Sequence, residues 1–353
     1  MALIRQRVFR LYKLAVVLCA FASAFPSSAQ QVSHSSTVPA PEAALARAAA
    51  FTDIRSPSSS AFLLVADVHF KFDKQTVDGK YGLSWAAPDM YHEIFVFPGF
   101  RQDVVVSHDK IYRKRTADFL PLPVHEWQSL MAAPLLWKPG KHAHVTAAPR
   151  PKEWNGQAGL NCVQSSIERV IDMREPNSTY KRTACFQTAQ GYPVSEDIDD
   201  HGRHSSYRFS NYKILGAQAF PGKITYEDRD GMSLEMDVSS LKPVQVFASN
   251  EFTPPSGATA ETWCSEPKLS GNTITQSFYQ APDPGSGTLP NGRIFLYVHV
   301  NPKGLVDKAG LLESSNPEAG NAFVNSVHRA AFPIATCNGT PIPRELIVIA
   351  GPR

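Results

Sequence analysis

From Leu64 to Phe72 the side chains alternate. Leu64, Ala66, Val68, Phe70 and Phe72 are apolar, and Asp67, His69 and Lys71 fall between them. A period of two marks a β-strand with one dry and one wet face. Met232 to Val238 repeats the rule, with Met232, Leu234, Met236 and Val238 against Ser233, Glu235 and Asp237. Ile224 and Tyr226 precede it across Glu227-Asp228-Arg229-Asp230-Gly231, which predicts a hairpin. Further strands fit Gly79 to Trp85, His92 to Phe97, Asp103 to Ser107, Lys110 to Arg115, Asn161 to Val170, Lys181 to Gln187 and Tyr207 to Leu215. Helical signals are few: Val124 to Ala132 after Pro123, and an Ala-rich segment from Pro41 to Phe51 that reads as peripheral.

The C-terminal stretch reads as strand, turn, strand, capped helix, turn, strand. Gly292 to Val300 is rich in strand formers, Asn301-Pro302-Lys303-Gly304 is a turn, and a second strand fits Leu305 to Glu313. Asn316 stands where a helix N-cap should, with Pro317 at the first helical position and Glu318 in the first turn, facing the positive end of the helix dipole. Ala319, Ala322, Phe323, Val327 and Ala330 then recur at helical spacing. Phe332-Pro333 stops the helix, Asn338-Gly339 turns the chain, and Glu345 to Ala350 is a last strand.

Proline and glycine crowd at Thr253 to Gly257 and at Ala281 to Gly292, which read as linkers. The organisation expected is a signal peptide over 1–29, an N-terminal linker with a short helix over 30–60, an antiparallel β domain over 61–253, a linker over 254–291 and a small domain over 292–353. The fold class is α+β.

Gly292, Val298, Val300, Gly304, Ser314-Ser315, Phe332-Pro333-Ile334-Ala335, Gly339-Thr340-Pro341 and the closing strand together resemble the C-terminal domain of the TonB family. Two features depart from it. The Tyr-Pro pair ahead of the first strand is replaced by Tyr279-Gln280, and the Phe-x-Pro-Ala spacing is rearranged. The resemblance implies strand addition, in which Leu346, Ile347, Val348 and Ile349 offer an open edge, with Arg344 and Glu345 at its start.

The larger region resembles the LolA-like fold, an open antiparallel half-barrel. The likeness rests on Gly79-Lys80-Tyr81 leading to Trp85-Ala86-Ala87-Pro88-Asp89, on Phe97-Pro98-Gly99-Phe100 and on Phe220-Pro221-Gly222-Lys223-Ile224. It implies a greasy groove for lipid or acyl chains, for which Phe70, Phe72, Tyr81, Trp85, Phe95, Phe97 and Phe100 are candidates. Ordinary core is the alternative for each. The reading is a non-enzymatic periplasmic adaptor that binds an outer-membrane TonB-dependent transporter or another envelope protein. The alternative is a periplasmic carrier of lipid or of a lipoprotein acyl chain.

Arg5, Arg7, Arg10 and Lys13, the apolar run Leu14 to Phe25 and the small residues Ser27-Ser28-Ala29 form a signal peptide. Its cleavage would place the protein in the periplasm; an uncleaved signal would anchor it in the inner membrane. Loss of those four cations turns the formal net charge of +3 into −1, which argues against nucleic acid as a partner. Cys162, Cys185, Cys264 and Cys337 remain, an even number suited to disulfides in an oxidising compartment. Of the three possible pairings, Cys162 with Cys185 is favoured because both fall in one candidate hairpin, leaving Cys264 with Cys337.

The pairs His92-Glu93 and His125-Glu126 lack the second histidine of a zinc-protease helix. No nucleophile elbow, P-loop or dinucleotide fingerprint occurs, so no catalytic residue, cofactor or metal is expected. Asp197, Asp199, Asp200, His201 and His204 read as a solvated loop tip, and His142 and His144 as surface histidines. Asn177-Ser178-Thr179 is an incidental sequon.

Overall fold

The protein is described by a computed structural model over residues 40–72, 75–132, 135–136, 144–149, 160–168, 179–187, 190–200, 203–228, 231–265, 267–270, 294–314 and 316–350. The expected signal peptide, His142, Asn177-Ser178, His201 and most of the second linker lie outside the described residues.

The chain begins with α1 (Pro41–Thr52), β1 (Phe62–Phe72), β2 (Gln75–Ala87), β3 (Met90–Phe97), β4 (Phe100–Ser107), β5 (Lys110–Arg115) and α2 (Leu122–Ala132). It continues through β6 (His144–Ala147), β7 (Leu160–Glu168), β8 (Thr179–Gln187), β9 (Pro193–Asp200), β10 (Arg203–Ser210), β11 (Lys213–Leu215), β12 (Gln218–Phe220), β13 (Lys223–Asp228) and β14 (Ser233–Pro243). The last part holds β15 (Thr259–Thr262), β16 (Lys268–Ser270), β17 (Ile294–Val300), β18 (Val306–Ser314), α3 (Pro317–Val327), β19 (Ile334–Cys337), β20 (Thr340–Ile342) and β21 (Arg344–Ala350). The described residues are mostly β with few helices, and the expected open antiparallel sheet is present.

Thirteen strands form that sheet, in the order β15, β5, β4, β3, β2, β1, β14, β13, β10, β9, β8, β7, β6. β1 and β14 join two meanders at its centre. The first meander is tightly wound because Pro88-Asp89, Pro98-Gly99 and His108-Asp109 are two-residue turns. Gly99 takes the positive φ (73°) that the second central position after Pro98 requires, and His108 takes a positive φ (57°) in its own turn.

The alternation puts Phe62, Leu64, Ala66, Val68 and Phe70 of β1 on the inner face with Leu234, Met236 and Val238 of β14. α2 lies against that face through Val124, Trp127 and Met131, and the Trp127 ring meets Tyr81 edge-on at 5.5 Å. The sequence suggests a peripheral α1, but the helix is packed into the structure. Its small residues Ala44, Ala48 and Ala49 let it approach closely, and with Leu45 they pack on Leu136, Val163, Ala184 and Phe186.

The tail belongs to the same compact unit, Pro39–Arg353. A three-stranded sheet, β18-β17-β21, is packed on both faces. Leu296, Val298 and Val300 of β17 face α3 with Val327, whereas Phe295 and Tyr297 join the core of the large sheet, with Phe295 edge-on to Phe72 at 5.4 Å. This explains why β17 reads as one continuous apolar run. α3 starts where its caps predict: Asn316 Oδ1 accepts from the Ala319 N–H at 3.0 Å. Of the expected face, Ala319, Phe323, Val327 and Ala330 pack on the small sheet. Gly320 is buried and closes on Leu311, while Ala322 is exposed.

Two stretches differ further from the reading of the sequence. Thr259–Thr262 and Lys268–Ser270 lie in the expected linker yet are strands, the first paired with the edge strand β5 and the second with β19. Asp197, Asp199, Asp200 and His204 are in the hairpin β9–β10 rather than at a loop tip. Arg208 supplies the reason, since it donates to Asp197 at 3.0 Å and balances a charged strand.

Both expected disulfides are present. Cys162–Cys185 is a cross-strand pair of β7 and β8 with Cα atoms 4.1 Å apart, and Cys264–Cys337 ties the segment after β15 to β19 with Cα atoms 5.8 Å apart. The tail is also held by the turn at Gly304, which has φ +79° and whose carbonyl accepts from the Phe332 N–H at 2.7 Å. A Cβ at Gly304 would lie 2.4 Å from the Phe332 oxygen. Gly304→Ala is therefore expected to cost at least about 2 kcal/mol, from a left-handed backbone and a hard overlap. Denaturant unfolding checks this by a lower midpoint; an unchanged midpoint would contradict it.

Candidate functional site

The covering of the inner face is incomplete. Between β2–β5, α2 and the segment after α1 lies a chamber of 560 Å³, walled by Ile54, Trp85, Tyr91, Leu130, Phe220 and Trp263. The wall is built by register. Trp85 of β2 is the direct cross-strand partner of Tyr91 of β3, their rings stack at 5.5 Å, and Trp263 meets Tyr91 edge-on at 5.5 Å. β15 sets Trp263 there by extending the sheet at β5 immediately before it.

Charge enters this apolar wall as a pair. Arg55 donates from Nη1 to Glu93 Oε1 at 3.0 Å and to the Met131 carbonyl at 2.9 Å, and its guanidinium lies 5.0 Å from the Trp85 ring and 4.9 Å from the Tyr91 ring. Tyr81 donates to the same Glu93 oxygen at 3.1 Å. Burial works most strongly against the guanidinium charge, but Glu93, Tyr81 and Tyr91 together outweigh it and the Arg55 pKa is raised. Burial, with Glu93 nearby, pushes the Tyr81 and Tyr91 hydroxyls well above their usual range. These groups stay in one protonation state around neutrality, which suits a fixed binding wall better than proton transfer.

A second cluster fastens the tail to the sheet. Arg115 of β5 grips Glu345 of β21 through Nη1 to Oε1 at 2.6 Å and Nη2 to Oε2 at 2.5 Å, and Tyr297 of β17 donates to Oε1 at 2.7 Å. Burial alone would raise the Glu345 carboxyl; the Arg115 bonds, helped by Arg113 and Tyr297, bring it down to about 2. Arg113 pairs with Glu261 of β15, and Arg115 also donates to Gln102.

The seven aromatic residues expected to line a groove all belong to or pack on the main core. Tyr81, Trp85, Phe95, Phe97, Phe100 and Phe70 are buried and Phe72 is partly buried, under α2 and the small sheet. Of these only Trp85 also walls the chamber among the described residues. Leu346 to Ile349 lie in β21, an edge strand paired with β17 alone among the described strands. Arg344 is half-buried, and Glu345 faces inward instead of marking a strand's mouth. Arg55, Tyr91, Glu93, Arg113 and Trp263 were missed. The signal for Glu93 was present: it shares the inward parity of Tyr91, Phe95 and Phe97 along β3. Its neighbour His92 points to the other face, near Asp103 and Glu251. Among the described residues no cluster able to hold a metal ion is found.

No family model and no curated protein matches the chain. Among solved structures, a LolA superfamily protein from Nitrosomonas europaea is similar over 60% of this chain and 97% of its own, with 11% identity and a TM-score of 0.38. A DUF1329 family protein from Desulfovibrio piger is similar over 61% of this chain and 98% of its own, with 13% identity and a TM-score of 0.38.

The Glu345 clamp predicts a pH dependence. Its folded-state pKa of about 2 lies below the ordinary 4.5, so the clamp stabilises fully above that ordinary value and loses its contribution as pH falls towards 2. Glu345→Gln should lower stability at neutral pH by on the order of 2–3 kcal/mol, and the gap to the unaltered protein should close on acidification through that window. Denaturant titrations at several pH values check this; parallel profiles would contradict it.

Proposed function

We propose that the chain is a non-catalytic binding protein of the bacterial cell envelope that carries one amphiphilic molecule, a lipid or a lipoprotein acyl chain, in the inner-face chamber. The observation that carries this reading is the 560 Å³ space walled by Trp85, Tyr91 and Trp263 inside an otherwise buried aromatic core. Protein interiors are close-packed, and pockets for small molecules run to about 300–1,000 Å³. The described lining holds paired arginines and carboxylates but neither histidine nor cysteine, which favours binding over chemistry. The indole N–H of Trp85 has no described acceptor, so the wall retains a donor. Two disulfides suit an oxidising compartment. No described helix is long and apolar enough to cross a membrane.

A second reading, strand addition by an outer-membrane transporter segment, rests on the free edge of β21. The chamber favours the first reading, because an adaptor acting through a strand edge has no need of an interior space.

The carrier reading predicts that a brominated fatty acid quenches tryptophan emission and saturates at one molecule per chain. In a protein with Trp85→Phe and Trp263→Phe, most of that quenching should be lost. Binding without quenching, or no binding, would contradict it.

A further inference from the structure

The two disulfides stand in different settings. Cys162 and Cys185, on β7 and β8, are buried, at 6% and 1% exposure. Cys264 and Cys337 are half-buried, and Cys337 runs directly into the exposed turn Asn338-Gly339. Exchange requires a thiolate to reach a sulfur of the bond, so the second disulfide is the more open to it. Its position also joins it to the chamber. Cys264 follows Trp263, whose ring closes the wall edge-on to Tyr91, and Ser265 lines the same space. On the side before it, Trp263 is held by its N–H, which donates to the Asp109 carbonyl at 2.8 Å, and by the four-residue edge strand β15, where Glu261 pairs with Arg113. On the side after it the disulfide is the first fastening, ahead of the three residues of β16 paired with β19. The tail at the other end of the bond has further holds: Phe295 and Tyr297 lie in the main core, and Arg115 grips Glu345. Breaking the bond therefore loosens Trp263 while the tail stays on the sheet.

We infer that Cys264–Cys337 is a redox latch on the chamber, and that its reduction by a protein dithiol frees the Trp263 side of the wall and weakens the hold on the guest. One thiolate of the dithiol attacks a sulfur of the bond and forms a mixed disulfide, and its second thiol then displaces the remaining cysteine. Two electrons pass to the chain. Cys264 and Cys337 end as thiols carrying the two protons, and the dithiol ends as a disulfide. Cys162–Cys185, buried in the wing of the large sheet, keeps its bond through this exchange. The inference rests on the carrier reading.

The test titrates the oxidised full chain with dithiothreitol, traps free thiols with iodoacetamide, assigns them by peptide mapping and measures Kd for a brominated fatty acid from tryptophan quenching. Cys264 and Cys337 should be alkylated at a dithiothreitol concentration that leaves Cys162 and Cys185 bonded and the circular dichroism unchanged. Kd should then rise by about tenfold, the scale of losing one aromatic contact and the apolar cover that goes with it. A chain with Cys264→Ser and Cys337→Ser should bind equally weakly without any reductant. In Trp263→Phe, reduction should change Kd much less, which separates the latch from a general loosening. If reduction leaves Kd unchanged, or if both disulfides open together as the fold is lost, the inference fails while the carrier reading stands. If the oxidised chain binds no fatty acid, both fail.

Discussion

One sheet of thirteen strands with an aromatic inner face has, among the described residues, no second sheet of its own size to bury it, and the rest of the molecule is arranged around that deficit. Burying apolar area stabilises by about 25 cal/mol per Å², so an uncovered face of this size would be a large loss. Three pieces of the same chain cover it. α1 takes the wing of β7 and β8, α2 takes the centre, and the small sheet backed by α3 takes the first meander. β17 is the clearest consequence, since a strand wedged between a helix and another sheet must be apolar on both faces.

Covers of different shape leave a remainder where they meet, and in this fold the remainder is the chamber. Charged groups collect at the same seams. Arg55–Glu93 joins the segment after α1 to β3, Arg113–Glu261 joins β5 to β15, and Arg115–Glu345 joins β5 to β21. Buried pairs of this kind are weak evidence for net stability, because desolvation offsets much of the attraction. Their geometry is specific, however. Each joins residues distant in sequence, so together with the disulfide Cys264–Cys337 they set how the covers sit on the sheet and hence the shape of the space between them.

Local pattern was enough to read much of this from sequence. β1 and β14 follow strict alternation, α3 announces itself by Asn316-Pro317-Glu318, and the two disulfides fall where hairpin logic places the first. The site was much less legible. Trp263, Arg55 and Glu93 converge only through pairings across the whole chain, and such convergence leaves no local period. Glu93 was obscured in a second way, because a carboxylate on a dry face breaks the pattern used to find the face. Thr259–Thr262 is a strand because β5 offers it an edge, despite the proline-rich sequence before it. The charged strand β9 is one because Arg208 and Arg182 neutralise it.

The proposed role requires a chain-like guest in the space beneath these covers. Native mass spectrometry of the gently purified, oxidised protein tests it most directly. A second population heavier by one lipid, depleted by organic extraction and restored by incubation with lipid, is expected. A single bare mass that no lipid alters, from a protein with both disulfides intact, would contradict it.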